Sequence, residues 1–73
     1  MNIKIVDHEK NAVNVINYPG TALLYVKIHF LYFGFYRVEK TGRDVFQIYN
    51  KFDNNHCYTI SKAKKGDLKN EIN

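Results

Sequence analysis

Short runs of alternating apolar and polar residues, separated by polar turn clusters, are the feature that most restricts the fold of this chain. A period of two is typical of half-buried β-strands, whereas an amphipathic helix repeats every 3.6 residues. The clearest strands are Asn2 to Asp7 and Ala12 to Asn17, and the polar residues between them predict a hairpin loop. Further strands are predicted at residues 25–30, from 34 to about 39, 44–50 and 57–61. The pattern predicts an all-β or β-rich fold, a small meander, barrel or sandwich of five to six short strands.

The segment from Ala22 to Phe30 also admits a helix. Strand-favouring β-branched and aromatic residues are dense there, and apolar residues alternate with Tyr25, Lys27 and His29. We therefore predict a strand, followed by a bulge or bend at Gly34. The core is predicted from the apolar side of each alternation, and its members are Val26, Ile28, Phe30, Val38, Phe46, Ile48 and Ile60.

Length, charge and cysteine usage restrict the class of protein. The 73 residues predict one domain at 1–61, followed by a polar, basic tail at 62–73 that we expect to be poorly ordered. The formal net charge of +4 favours acidic partners such as nucleic acid. One cysteine cannot form an internal disulfide, which favours a reducing, cytoplasmic location. The most apolar stretch, 22–36, is too short and too interrupted for a membrane span, so no membrane contact is expected.

Residues that could carry catalysis or bind a metal are few. Zinc sites need about four ligands from paired motifs, and His56-Cys57 has no second cysteine or suitably spaced histidine pair to join it. We interpret Cys57 as a structural residue that is dispensable for chemistry. The carboxylates are scattered and no glycine-rich phosphate loop occurs. The sequence therefore predicts a non-enzymatic binding protein without metal or cofactor.

One pair of segments resembles the two nucleic-acid-binding strands of cold-shock domains. Phe33-Gly34-Phe35-Tyr36 is followed, nine residues after Phe35, by Asp44-Val45-Phe46-Gln47-Ile48-Tyr49. The agreement lies within residues 33–49, at Phe33, Gly34, Phe35, Asp44, Val45, Phe46 and, as an aromatic, Tyr49. The family's preceding tryptophan and Lys-Gly are missing, and Leu31-Tyr32 stands before the first phenylalanine. The resemblance implies an OB-type barrel whose aromatic side chains stack on bases of single strands. The same pattern also fits an ordinary bent β-hairpin.

Two binding functions follow. The first is single-stranded nucleic-acid binding through an aromatic and basic sheet face, on which Phe33, Phe35, Lys27 and Arg37 point away from the core. The second is protein binding, such as by a phage-encoded inhibitor of a host factor. The abundant Asn, Lys, Ile, Tyr and Phe have AT-rich codons, which fits an origin in an AT-rich bacterium or its phage. Either function allows a homodimer. The predicted binding residues are Tyr25, Lys27, His29, Phe33, Phe35, Arg37, Arg43 and Tyr49.

Overall fold

In the computed structural model, which describes residues 1–67, five strands form one antiparallel sheet. The strands are β1 (Asn2–Asp7), β2 (Ala12–Asn17), β3 (Tyr36–Gly42), β4 (Val45–Asn50) and β5 (His56–Lys62). Their spatial order is β2-β1-β5-β4-β3, so β5 lies in the centre and β2 and β3 form the edges. The predicted β-rich fold is confirmed, as a single sheet with one helical layer.

The predicted strand at 25–30 is wrong, because this segment is helical. Helix α1 (Ala22–Val26) begins after Thr21, whose hydroxyl accepts a hydrogen bond from the backbone N–H of Leu24 at 3.1 Å. A π-helical turn (Lys27–Leu31) continues it. Ala22, Val26 and Phe30 recur every four residues and are all buried, so the helical period buries a continuous apolar face. This tertiary burial outweighs the local preference of β-branched and aromatic residues for strands.

Because residues 22–31 are helical rather than extended, the buried core differs in part from the predicted one. Five predicted members are confirmed as buried, namely Val26, Phe30, Phe46, Ile48 and Ile60. Val38 is half-buried and packs against them. Ile28 is a wrong prediction, since it is 47% exposed. A helix turns Ile28 to the side opposite Val26 and Phe30, whereas a strand would have placed all three on one side. Sequence reasoning missed Ile3 and Ala22, which complete the core.

The helical segment runs from one edge of the sheet to the other, since it connects β2 with β3. It packs against β3, β4 and β5 on a single side of the sheet. Phe46 and Ile60 are opposite each other in the register and point to that side. Their strand neighbours alternate to the other side, which we call the open face.

Turns between the strands use residues with positive φ. Asn11 (φ 55°), Asp44 (φ 57°) and Asn54 (φ 62°) adopt it at the three hairpin turns. Such residues tolerate the left-handed region because their short polar side chains bond locally. Gly34, at φ 74°, supplies the expected bend, but between the helical segment and β3 rather than inside the sheet.

Residues that follow β5 contact the start of β1. The backbone N–H of Ala63 donates to the carbonyl of Asn2 at 2.9 Å, and Lys4 Nζ lies 3.0 Å from Asp67 Oδ1. The predicted tail at 62–73 therefore begins inside β5, and its residues 68–73 lie outside the described part of the chain. Within residues 1–67, the helices are all too short or too polar to cross a membrane.

Candidate functional site on the open sheet face

Four planar side chains stack side by side across the open face, and we call them the planar row. The Arg37 guanidinium carbon lies 4.3 Å from the centroid of the Tyr49 ring. The Tyr49 ring stacks on His56 with 4.9 Å between centroids, and His56 faces His8 at 4.1 Å. The register explains this order, because Arg37 is opposite Tyr49 and Tyr49 is opposite His56. The His8 backbone N–H donates to the carbonyl of Cys57 at 2.9 Å and so brings His8 beside β5.

A chain of hydrogen bonds orients the two imidazoles. Gln47 Nε2 donates to the Thr41 hydroxyl at 3.1 Å, which leaves Gln47 Oε1 as an acceptor. That oxygen accepts from the Thr59 hydroxyl at 2.6 Å and lies 2.7 Å from His56 Nε2. His8 Nε2 lies 2.7 Å from the Thr59 oxygen, whose proton is already donated. Both histidines must therefore carry hydrogen on Nε2, so Nδ1 bears the lone pair of each neutral ring.

Arg37 is held over Tyr49 by two further contacts. Its guanidinium donates to Glu39 Oε2 at 3.0 Å and to Asn54 Oδ1 at 2.7 Å. The ion pair with Glu39 is exposed to solvent, so its contribution to folding stability is at most about 1 kcal/mol. Its effect is mainly geometric, since it holds the guanidinium over the face of the ring, where the cation–π attraction acts.

Stacking leaves the edges and ends of the planar row accessible rather than the faces of its central rings. Tyr49 has Arg37 on one side and His56 on the other, so a base cannot stack on its ring without displacing one of them. Phe35, which is 55% exposed, offers aromatic surface outside these stacks. Its carbonyl accepts from the N–H of Lys51 at 3.0 Å, which extends the β3–β4 ladder by one residue. Alternation along the strand then places Phe35 on the same side as Arg37.

A basic cleft lies at the other end of the open face. Its volume is about 990 Å³, and Val45 and Ser61 form part of its wall. Two carboxylates, Asp44 and Asp67, line it together with five cations. The cations are Lys4, Arg43, Lys62, Lys64 and Lys65. The excess of positive charge makes the cleft suited to a polyanion.

Asp67 organises one wall of the basic cleft. Its carboxylate accepts the backbone N–H of Lys64 at 2.9 Å and the ammonium of Lys4 at 3.0 Å. The hydrogen bond from the Lys64 backbone, followed by that from Lys4, lowers the pKa of the Asp67 carboxyl below its ordinary value. Asp67 therefore stays ionised at neutral pH and ties the segment after β5 to β1.

The structure separates the predicted site residues into groups. Arg37 and Tyr49 belong to the planar row, Phe35 lies beside it, and Arg43 lines the basic cleft. Phe33 and Phe35 are exposed, as predicted. The expected common face is not formed, because Lys27 is on the helical segment, across the sheet from Arg37. The remaining members of the predicted set, Tyr25 and His29, are also on that segment.

Tyr25 and His29 form an aromatic cluster with Tyr18 on the helical segment, in which Tyr25 is half-buried and His29 is exposed. Their rings lie 4.3 Å apart, and Tyr18 meets the edge of Tyr25 at 5.2 Å. Burial raises the pKa of the Tyr25 hydroxyl above its ordinary value. Tyr25 is half-buried against the core and therefore contributes to packing.

Sequence reasoning missed both histidines of the planar row. In the sequence, His56 stands out only beside Cys57, and His8 lies in the polar segment that predicts a hairpin loop between β1 and β2. The signal that could have pointed to the planar row is the polar side of the strands, where Gln47 lies on β4 and Thr59 on β5. Cys57 itself is half-buried, its thiol donates to the carbonyl of Asn55 at 3.4 Å, and burial raises the thiol pKa. Residues 1–67 contain no cluster of three or more His, Cys, Asp or Glu side chains that could hold a metal ion.

Comparisons of the chain with protein-family models, curated proteins and solved structures find no match. The likeness to cold-shock domains stays a resemblance carried by residues 33–49. In the structure its first half, Phe33 to Phe35, precedes β3, and its second half forms β4. The function must therefore be inferred from the site geometry of this chain.

Proposed function

We propose that this protein binds single-stranded nucleic acid along the open face. The observation that supports the proposal is the placement of the basic cleft and the planar row on one face, at opposite ends of the same two strands. Val45 and Ser61, in the cleft wall, lie on β4 and β5, and so do Tyr49 and His56 of the row. A polyanion with planar bases matches both ends at once.

The separation of the two ends favours an extended ligand. Tyr49 is four residue steps along β4 from Val45, which corresponds to about 13 Å at roughly 3.3 Å per step. A small anion would occupy the cleft alone, whereas a flexible single strand reaches both ends. Gln47 and Thr59 lie between them and supply polar groups along the path.

Each part of the open face has a chemical task in this proposal. Arg43 and the lysines of the cleft neutralise phosphates and release condensed counterions. Phe35 stacks on a base, while the guanidinium of Arg37 and the imidazole Nδ1 atoms offer edges for hydrogen bonding. The bound strand is a ligand rather than a substrate, so no cofactor or metal is required. The free thiol of Cys57 fits a reducing compartment such as the cytoplasm.

Fluorescence anisotropy with a labelled mixed-sequence DNA or RNA oligonucleotide tests the proposal. Affinity should fall steeply between about 50 and 200 mM salt. Arg43→Ala should reduce the slope of log Kd against log salt by about 0.7–1. The matched control is Lys27→Ala, which removes an exposed cation from the helical side of the sheet and should leave the slope unchanged. Phe35→Ala should weaken binding by roughly 5- to 150-fold, equivalent to about 1–3 kcal/mol.

Two results would overturn the proposal. One is the absence of binding at about 50 mM salt and micromolar protein. The other is an equal effect of Lys27→Ala and Arg43→Ala, because binding would then follow total charge rather than this face.

A protein-binding module, such as an inhibitor of a host factor, is the second candidate function. The specific observation in its favour is the Arg37–Tyr49 stack, because Arg and Tyr are enriched in interface hot spots. For a protein ligand, truncation of the aromatic side chains should dominate the loss of affinity. Removal of single cations would mainly slow association. A pull-down from lysate that persists after nuclease treatment would favour this candidate over nucleic acid.

A further inference from the structure

The outer side of the helical segment is apolar and exposed. Ala22, Val26 and Phe30 bury one side against the sheet, and a surface helix of a monomer normally carries polar residues opposite such a stripe. Here the opposite side carries large apolar residues, and among residues 22–34 only Lys27 has a permanent charge. We call the exposed side chains the apolar patch; they are Leu23, Leu24, Ile28, Leu31, Tyr32 and Phe33.

The area of the apolar patch lies at the upper end of what a small monomer usually leaves in water. Its side chains are between 43% and 80% exposed. At roughly 200 Å² for each large side chain, they present about 600 Å² of apolar surface. The largest apolar patch on a typical monomer covers about 300–600 Å². Two such patches in contact would bury about 1,200 Å², which reaches the lower limit of stable protein interfaces.

We propose that the apolar patch is the interface of a symmetric homodimer, in which the helical segments of two copies pack against each other about a twofold axis. Leu24, Ile28 and Leu31 follow the spacing i, i+4, i+7, which places them along one side of a helix, where they can pack against a facing helix. In a twofold contact the aliphatic start of one segment meets the aromatic end of the other. Each copy therefore covers the other with surface of the same chemistry.

Charge placement favours a second copy over an acidic partner. Lys27 is the only permanent charge in the patch region, and its long side chain can keep the ammonium in water at the interface rim. Lys4, Val45 and Ser61 place the basic cleft on the side of the sheet opposite the helical segment, so the contact does not bring the clefts of two copies together. An acidic partner would find almost no cations to pair with on the apolar patch. The open face of each copy stays accessible in the dimer.

Sedimentation equilibrium of the full chain from about 1 to 100 µM tests the proposal, because dimers become populated as concentration exceeds Kd. The wild type should approach twice the chain mass of 8.6 kDa. Ile28→Asp should raise the dimer Kd at least about 100-fold, since it places a charge in the interface. Phe52→Asp is the matched control, because Phe52 is 79% exposed in the β4–β5 turn and lies outside the patch.

Circular dichroism of each variant checks that the fold is intact. If Ile28→Asp does not fold, Tyr32→Ser replaces it, because Tyr32 is the most exposed patch residue and its truncation removes interface area without adding charge. Tyr32→Ser should weaken the dimer about 10-fold or more. A wild type that stays at 8.6 kDa throughout would overturn the proposal, whether the patch then binds another protein or a lipid surface. Equal loss of dimer in Phe52→Asp would also overturn it.

Discussion

Replacing Phe46 by alanine should remove most of the stability of this domain. Phe46 is 3% exposed, lies in the centre of the core and is opposite Ile60 in the sheet register. Removing a ring that buries roughly 170 Å² loses about 4 kcal/mol of transfer free energy at 25 cal/mol per Å². Measured Phe→Ala changes in cores lie at about 3–5 kcal/mol. A domain of this size has about 4–11 kcal/mol of folding free energy, so the loss is decisive.

The matched control is Phe52→Ala, which deletes the same ring from the β4–β5 turn. Since Phe52 is 79% exposed, its truncation should change the free energy of unfolding by no more than about 0.5 kcal/mol. Phe46→Leu provides a milder core change of about 1–1.5 kcal/mol if Phe46→Ala fails to fold. Urea unfolding followed by circular dichroism measures all three. A Phe46→Ala variant as stable as Phe52→Ala would refute the assignment of Phe46 to the core.

Two further predictions concern backbone conformation and pH. Gly34→Ala should cost about 1–2 kcal/mol of folding free energy because of the positive φ at this position, since no atom crowds the added Cβ. Gly66→Ala is the control, because that site is equally uncrowded but has no positive φ, and it should be tolerated. Equal shifts of the melting temperature in the two variants would contradict this prediction. The lowered pKa of Asp67 means that its ionised form stabilises the fold above the unfolded value of 3.8, and that this contribution disappears as pH falls through the folded pKa. Asp67→Ala should therefore melt below the wild type at neutral pH and together with it well below pH 3.8; a gap independent of pH would exclude the ionic origin.

Local pattern was sufficient for the strands but not for the helical segment. The bounds of β1 and β2 agree with the prediction, β4 differs by one residue at its start, and β5 by one residue at each end. Strand β3 begins two residues and ends about three residues later than predicted. In the helical segment, Val26 and Phe30 fit both a period of two through Ile28 and a period of four from Ala22. Local propensity favours the period of two, which is that of a strand. In the fold, however, this segment is a helical connection that crosses the sheet from β2 to β3. The cap at Thr21 was the signal for the helix.

The candidate site was predictable where it depends on a single strand. Arg37 and Tyr49 occupy the polar side of their alternations, so their exposure on a sheet face could be predicted. The pairing of His8 with His56 depends instead on contact between β1 and β5, which are separated by most of the chain. Periodicity carries no information about which strands become neighbours. The planar row could therefore be identified only from the structure.

The central position of β5 has a consequence for how the molecule folds. The β1–β2 and β3–β4 hairpins are local and can form within about 1–10 µs, but they are joined into one sheet only when β5 enters between them. Until then β1 and β4 each present an unpaired edge, and both edges accept the same strand. Entry of β5 is a non-local step and should limit the folding rate. It is also the step at which a strand from another chain can substitute, so concentrated refolding favours strand-exchanged oligomers.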